Sequence, residues 1–274
     1  MAKTIKLQTR DQLILEQHAE FEVTTKKILH RSFFEGRRMN AVDSTIRRLD
    51  HRGIGFIHGR RLPNSKTQYF RLTPAGSKYL GIKPNKKTMA PSRLFSLIGR
   101  LYYINRPPED QQRGLCPSAA LSKLMGCEDF NNGKIRPPRV DFYIARNKIE
   151  VAEDADVAFG AVLPDLNSTV ERVVKRCVTH SINFLERGWF VEVMRAGRFE
   201  WTILTGHKAK QDELQRATTR TLQRRMASLY FKHGLDYLDV PPIRVNVEVI
   251  PELATLRLRK QKKKKKKKLS RDSS

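Results

Sequence analysis

Polar and basic side chains recur at helical spacing between residues 40 and 51. Val42, Ile46 and Leu49 share one stripe of a helix, and the opposite face carries polar residues: Asn40, Asp43, Ser44, Arg47, Arg48 and His51. Amide, hydroxyl and guanidinium groups hydrogen-bond to base edges and phosphate oxygens of duplex DNA. The segment therefore predicts a DNA recognition helix with groove contacts from Asn40, Ser44, Arg47 and Arg48. A solvated face of a protein-binding helix is the alternative.

Motifs for most other chemistry are absent from the sequence. The seven histidines are scattered without an H-E-x-x-H motif, and neither G-x-x-x-x-G-K-S/T nor G-x-G-x-x-G occurs. Cys116, Cys127 and Cys177 lack C-x-x-C spacing, so we expect reduced thiols rather than disulfides or a zinc site. These patterns predict no bound metal or cofactor.

One acid could still serve an enzyme. Glu192 lies within FVEVM, an apolar run that predicts a strand, and an inward carboxylate in a strand needs a partner. Lys175 or Arg172, on a neighbouring predicted helix, could supply the cation. Alternation alone does not decide whether Glu192 points inward.

Two helices precede the polar face described above. TRDQLILEQHAEF is expected to begin at a cap on Thr9, and VTTKKILHRSFF at a cap on Thr24 or Thr25. The third helix, which carries the polar face, is expected to stop at Gly53.

Strand-like runs follow the third helix. IGFIHGRR and TQYFRL, joined by LPNSK, predict a hairpin, and TPAGSKYLG predicts a short helix that closes at Gly81. Three helices, a two-stranded wing and a closing helix are the order of a winged helix-turn-helix. In such folds the wing lies along the DNA backbone, so Arg60, Arg61 and Lys66 are expected phosphate contacts.

The rest of the chain divides into a bridge, a second domain and a tail. Residues 83–135 predict a helical bridge, with helices in SRLFSLIGRLYYIN and CPSAALSKLMG and a loop at RPPEDQQRG. Residues 136–255 alternate strands and helices: strands RVDFYIARN and ADVAFGAVLP, a helix capped by Ser168, a hairpin of WFVEVM with RFEWTILTG, a long basic helix and the strand IRVNVEVI. The fold class is therefore α+β, a winged helix-turn-helix at residues 1–82 followed by an α/β domain with a mixed central sheet.

Positive charge dominates the chain and suggests a polyanionic partner. The 274 residues include 54 Lys and Arg against 28 Asp and Glu, a net charge of +26. Residues 256–274 hold eleven bases and one acid, including seven consecutive lysines, and are expected to be a disordered tail that binds phosphates without reading bases. No apolar run approaches a membrane span, so we expect a cytoplasmic, nucleoid-associated protein.

The first third of the chain resembles the winged helix of the replication-relaxation family, proteins linked to plasmids and other mobile elements. The matching pieces are the opening TRDQLIL, the RRL of the third helix, a wing that ends in Tyr69 and Phe70, and LTPAG. The resemblance is fainter beyond residue 82.

This resemblance implies a restriction-endonuclease-like fold for residues 136–255. Such nucleases hold Mg²⁺ or Mn²⁺ between two acids, with a lysine nearby. The family pattern places the first acid at Asp141 in PPRVDFYI and the second near AVLPDLNST, where Asp165 is available. Leu163 occupies a position expected to carry a carboxylate, and no E-x-K follows. A lost acid weakens a metal site, so we expect a degenerate scaffold.

Two functions from different classes are consistent with these features. The favoured hypothesis is a sequence-specific double-stranded DNA-binding protein without catalytic activity, acting in replication, mobilisation or regulation of a mobile element. The alternative is a metal-dependent nuclease that uses Asp141, Asp165, Glu192 and Lys175.

Winged helices often pair, so a homodimer stays open. RNA binding by the basic helix is a third hypothesis, although its six bases do not share one narrow stripe: Lys208, Lys210, Arg216, Arg220, Arg224 and Arg225.

Overall fold

A computed structural model describes residues 7–50, 53–62, 67–84, 89–109, 111–126, 140–147, 157–165, 167–232 and 242–254. Within these ranges the chain is α+β, as predicted. A three-stranded antiparallel sheet lies in the first third and a five-stranded mixed sheet in the second half. We call residues 7–84 the amino-terminal unit and residues 111–254 the sheet unit.

The amino-terminal unit contains every helix and strand that its sequence predicts. In chain order its elements are α1 (Thr9–Phe21), β1 (Thr24–Thr25), α2 (Lys26–Phe33), α3 (Met39–Leu49), β2 (Ile57–Arg61), β3 (Gln68–Leu72) and α4 (Pro74–Tyr79). β2 and β3 form the predicted hairpin, and the two-residue β1 extends it in the order β1-β3-β2.

Side-chain caps start two of these helices. The Thr25 hydroxyl accepts a hydrogen bond from the Ile28 backbone N–H at 3.4 Å, and the Thr73 hydroxyl accepts one from the Gly76 N–H at 3.1 Å. Pro74 occupies the first turn of α4, where its missing N–H costs nothing. The predicted cap at Thr25 is confirmed.

Two helix boundaries differ from prediction. The residue before α1 is Gln8 rather than Thr9, because the Asp11 carboxylate accepts the Gln8 backbone N–H at 3.2 Å and so takes the capping role. α3 ends at Leu49, before Gly53, because the chain turns back there and packs Gly53 against the last turn of the helix.

A helix between the two units joins them through one core. α5 (Pro91–Asn105) is buried along most of its length, and its aromatic residues Phe95, Tyr102 and Tyr103 are core residues. The same cluster includes Phe21 of the amino-terminal unit and Leu204 of the sheet unit. The two units therefore pack on α5 rather than hang from a flexible link.

The sheet unit alternates strands and helices after an antiparallel start. Its elements are β4 (Gln111–Leu115), α6 (Ser118–Met125), β5 (Asp141–Asn147), β6 (Val157–Pro164), α7 (Val170–Glu186), α8 (Val191–Arg195), β7 (Phe199–Thr205), α9 (Gln211–Lys232), β8 (Arg244–Val249) and α10 (Pro251–Ala254). The strand order is β4-β5-β6-β7-β8. β4, β5 and β6 pair antiparallel, whereas β6, β7 and β8 pair parallel through the α7 and α9 crossovers.

The two faces of this sheet have different coverings. Val162 and Leu204 point to α5, whereas Leu163 and Ile203, their neighbours along the strands, point into the core formed with α7 and α9. The molecule is therefore layered: amino-terminal unit, α5, five-stranded sheet, and the pair α7 and α9.

The predicted hairpin of WFVEVM with RFEWTILTG is wrong in its first arm. Phe190, Val193 and Met194 are buried, and their spacing of three and four residues is that of the helix α8, because in a strand Val193 would face away from the other two. Only RFEWTILTG forms a strand, β7. Ser168 also loses its predicted role, since the residue before α7 is Thr169.

The segment RPPEDQQRG, a predicted loop, supplies the edge strand β4. Its sequence does not show the alternation of apolar residues that predicts a strand, because the buried side chain of the run is a base. Arg113 is buried and donates to the Glu248 carboxylate at 2.9 and 2.5 Å. A satisfied ion pair therefore replaces the apolar residue that strand alternation would show.

Candidate nucleic-acid interface

α3 has one buried and one exposed face. Val42, Ile46 and Leu49 are buried in the core of the amino-terminal unit, together with Thr45. The opposite face presents Asn40, Ser44 and Arg47, all exposed and three or four residues apart. This row has the amide, hydroxyl and guanidinium groups needed to read base edges.

Arg48, the fourth predicted groove contact, is bound within the protein. Its Nη2 donates to the Asp11 carboxylate at 2.5 Å, and Asp11 is buried, with 1% of its side chain exposed. The Nε of Arg48 is also buried and has no hydrogen-bond partner among the described residues. The structure thus places Arg48 as a tie between α3 and α1, whereas Arg47 faces outward.

The hairpin places two predicted phosphate contacts at the surface. Arg60 and Arg61, at the end of β2, are both exposed. Gly59 lies opposite Phe70, and a Cβ at this position would be 2.9 Å from the Phe70 ring. Glycine therefore lets the buried ring pack under the strand that carries the arginines. Lys66, the third predicted contact, lies outside the described residues.

Two of the acids near α3 are neutralised inside the unit, whereas Glu35 is exposed just before the helix. Asp43 pairs with Lys26 at 2.5 Å, and Asp11 pairs with Arg48. Among the described residues, five exposed arginines of this region make no ion pair: Arg37, Arg38, Arg47, Arg60 and Arg61. The surface around α3 and the hairpin tip is therefore positive in charge, as a phosphate-binding surface must be.

The two acids implied by the nuclease resemblance lie on opposite faces of the sheet. Asp141, which opens β5, accepts from the Arg100 guanidinium of α5 at 3.3 Å. Asp165, which follows β6, is buried on the other face and accepts from Thr205 Oγ1 and Lys210 Nζ, each at 3.3 Å. The strands between them prevent these carboxylates from sharing one cation.

The other proposed catalytic residues lie at the surface of the helical layer. Glu192 is exposed on α8 and pairs with Arg195 at 2.6 Å, so it is not the inward strand acid of the alternative hypothesis. Lys175 and Arg172 are exposed on α7. Within the described ranges, no three His, Cys, Asp or Glu side chains are grouped closely enough to hold a metal ion.

Asp165 has a structural role that sequence reasoning missed. Its carboxylate accepts from the Ser168 backbone N–H at 2.8 Å and so shapes the turn into α7. Lys210 also donates to the Ser168 carbonyl at 2.8 Å, which ties this turn to the segment before α9. The D-L-N-S sequence after a strand, with an Asp three residues before the bonded N–H, is the local signal of such a turn.

A second polar network faces α5 and was also missed. The Tyr143 hydroxyl donates to the Glu200 carboxylate at 2.9 Å across Gly160, and it bonds to the Thr202 hydroxyl at 2.7 Å. Burial raises the pKa of Tyr143 well above its usual value. The strands that carry these residues are far apart in sequence, so no local pattern reveals the network.

The described cysteines are poor nucleophiles. Burial raises the pKa of Cys116 to about 11 and that of Cys177 to about 12. Both thiols are free, whereas Cys127 lies outside the described residues. A protonated thiol at neutral pH does not support nucleophilic catalysis.

Comparisons with known proteins add no family to these observations: no protein-family model, curated protein or solved structure matches the chain. No helix in the described part of the chain combines the length and hydrophobicity needed to cross a membrane.

Proposed function

We propose that this protein binds double-stranded DNA sequence-specifically and without catalysis, through a winged helix-turn-helix formed by residues 7–84. The observation that carries the proposal is the outward row of Asn40, Ser44 and Arg47 on α3, beside a hairpin whose exposed arginines make no ion pair with described residues. In this proposal α3 enters the major groove and Arg60 and Arg61 contact the backbone.

The resemblance to the replication-relaxation family gives this activity a context. It suggests an accessory factor in replication or mobilisation, or a transcriptional regulator, of a plasmid or other mobile element. It also suggests that the sheet unit is a nuclease-like scaffold. The order of three antiparallel strands followed by helix and parallel strand supports that suggestion, whereas the separation of Asp141 and Asp165 argues against a working two-acid metal site.

The test is selection of bound sequences from a random duplex pool, followed by quantitative binding to the winning site. Arg47→Ala is expected to reduce discrimination against mismatched sites, at a cost of about 1–3 kcal/mol for a bidentate base contact. Its thermal stability should equal that of the parent, because Arg47 is exposed and makes no ion pair with a described residue.

Arg48→Ala provides the matched control on the same helix. We expect it to lower stability, because Asp11 would become a buried carboxylate without its cation, and to keep the site preference when it is assayed below its unfolding temperature. A parent chain that binds all duplexes equally, or an Arg47→Ala variant with unchanged preference, would contradict the proposal.

A further inference from the structure

The outer helical layer of the sheet unit carries a second basic surface. On α9, Arg216, Arg220 and Arg224 are exposed and follow one another at intervals of four residues. The six bases of the RNA-binding hypothesis do not share one stripe, because Lys208 and Lys210 belong to a separate turn before α9 and Arg225 lies beside the row. The three remaining arginines share one stripe of the helix.

The neighbouring helix extends this surface. α7 packs beside α9, and its first turns expose Arg172, Lys175 and Arg176. We call these six residues the basic ridge: Arg172, Lys175, Arg176, Arg216, Arg220 and Arg224. Helices packed side by side have axes about 8–10 Å apart. The ridge therefore combines the cations of two neighbouring helices.

Few acids lie beside the basic ridge in the described part of the chain. Glu171 precedes Lys175 by four residues, Asp212 and Glu213 precede Arg216 by four and three, and Glu186 ends α7, so the ridge has a net positive charge. The described residues provide no ion pair to any ridge side chain. Asp165, which precedes α7, is buried and bound to Lys210.

The spacing of the ridge suits a phosphate backbone. Successive arginines on α9 are about 6 Å apart, since a helix rises about 1.5 Å per residue. Each strand of duplex DNA presents a phosphate for about every 3.4 Å of axis and also winds around that axis, so neighbouring phosphates are farther apart in space than 3.4 Å and comparable in spacing to these arginines. The ridge carries arginine and lysine but no amide or aromatic group in its rows, which suits phosphates rather than bases.

The ridge and α3 belong to opposite sides of the layered fold. The amino-terminal unit packs on α5, which covers one face of the five-stranded sheet, whereas α7 and α9 cover the other face. We propose that the basic ridge binds the backbone of a second duplex segment without sequence preference, so that one molecule bridges two segments of DNA. The bridging role rests on the proposed function of α3.

The test uses the full chain and two duplexes. One duplex is immobilised and carries the selected site, and the other is fluorescent and lacks it. The variant R216Q/R220Q/R224Q is expected to bind the immobilised site as the parent does and to capture at least about tenfold less of the second duplex at fixed salt. The slope of log affinity against log salt for a random duplex should fall by about 3.

K78Q/K83Q/K123Q is the matched control, since it removes the same charge from exposed lysines outside α3, the hairpin, the basic ridge and the lysine run. Equal loss of capture in this control and in the α9 variant, or no loss in the α9 variant, overturns the proposal. Capture that is lost in R47A but kept in the α9 variant also overturns the proposal. That result would mean that two copies of the protein, each bound to one duplex through α3, hold the duplexes together. The proposal is also overturned if the α9 variant loses affinity for structured RNA but not for duplex DNA.

Failure of the α3 proposal would give a different result. A parent chain without site preference refutes base reading by α3, whereas the salt slope of the α9 variant on random duplex still decides whether the ridge binds phosphates. Unchanged circular dichroism and melting temperature in the α9 variant are expected, because its three arginines are exposed and, among the described residues, only Arg216 makes a bond, to the Asp212 carbonyl of its own helix.

Discussion

Arg47 and Arg48 show how one residue step on a helix separates two roles. Adjacent residues on a helix point about 100° apart. Arg47 therefore faces solvent while Arg48 reaches Asp11 on α1, where the carboxylate is almost fully buried. In the proposed function Arg47 contacts bases, whereas Arg48 holds α3 to α1, so the two substitutions should affect different measurements.

His18 makes stability depend on pH. The imidazole is fully buried on α1, its Nδ1 lies 2.6 Å from the Ile14 carbonyl, and burial lowers its pKa from 6.5 to about 4. Between these two pH values the unfolded chain binds the proton and the folded chain does not. The contribution of His18 is therefore complete above pH 6.5 and is lost as the pH falls toward 4.

We predict that the free energy of unfolding falls by roughly 3 kcal/mol from this residue alone between pH 6.5 and pH 4, at about 1.4 kcal/mol per pKa unit. Urea unfolding at several pH values measures it. His18→Leu should show a shallower decrease over the same window, because leucine binds no proton. Parallel pH curves for parent and variant would contradict the assignment.

At the scale of elements, Asp165 connects a strand to two helices. Its carboxylate binds the Ser168 N–H before α7, the Thr205 hydroxyl at the end of β7 and the Lys210 ammonium before α9. These contacts meet where three parallel strands end, so one buried acid holds both crossovers in place.

We predict that Asp165→Ala lowers the free energy of unfolding by about 2 kcal/mol or more, because it leaves three buried or half-buried donors without their acceptor. Denaturant unfolding measures the loss. Asp141→Asn is the control: it keeps an acceptor for Arg100 at a more exposed site and should cost less. Equal stability of the parent and Asp165→Ala would show that the turn forms without the carboxylate.

The apolar run in α8 illustrates a limit of element prediction. In a strand Phe190, Glu192 and Met194 would share one face, whereas the helix brings Phe190, Val193 and Met194 together in the core. Tertiary packing favours the helix, in which Glu192 lies at the surface rather than inside a strand as the alternative hypothesis required. One error in an element therefore removed one candidate catalytic residue.

At the scale of the whole molecule, an ion pair joins the two edges of the large sheet. Arg113 of β4 and Glu248 of β8 belong to the first and last strands, yet their side chains form two hydrogen bonds. The guanidinium also lies 4.1 Å from the centre of the Tyr103 ring on α5. The sheet must therefore curve around the end of this helix.

We predict that Arg113→Met lowers the free energy of unfolding by about 3 kcal/mol, because it leaves the partly buried Glu248 carboxylate unpaired. The double variant Arg113→Met with Glu248→Gln should recover part of the loss. Calorimetry measures both. If the single variant melts with the parent, the pair does not hold the edges together. Loss of this clamp should not change the site preference of α3, which lies in the other unit.

The sequence by itself determined most elements and their buried faces. Local rules were sufficient for α2, α3, the β2 and β3 hairpin and α4, because the caps at Thr25 and Thr73 and the period of apolar residues act within a few residues. The sequence also indicated the outward row on α3, since helical spacing alone separates it from Val42 and Ile46.

Only the tertiary structure decided which charges are available. The partners of Arg48, Asp141, Asp165 and Arg113 lie far away in the sequence, so no local pattern could show that these groups are neutralised inside the fold. Pairing of this kind depends on which faces of the sheet and helices meet. The packing of helices on both faces of the sheet places the two proposed metal-binding acids on opposite sides. It also leaves the arginines of α3, the hairpin and the basic ridge facing solvent.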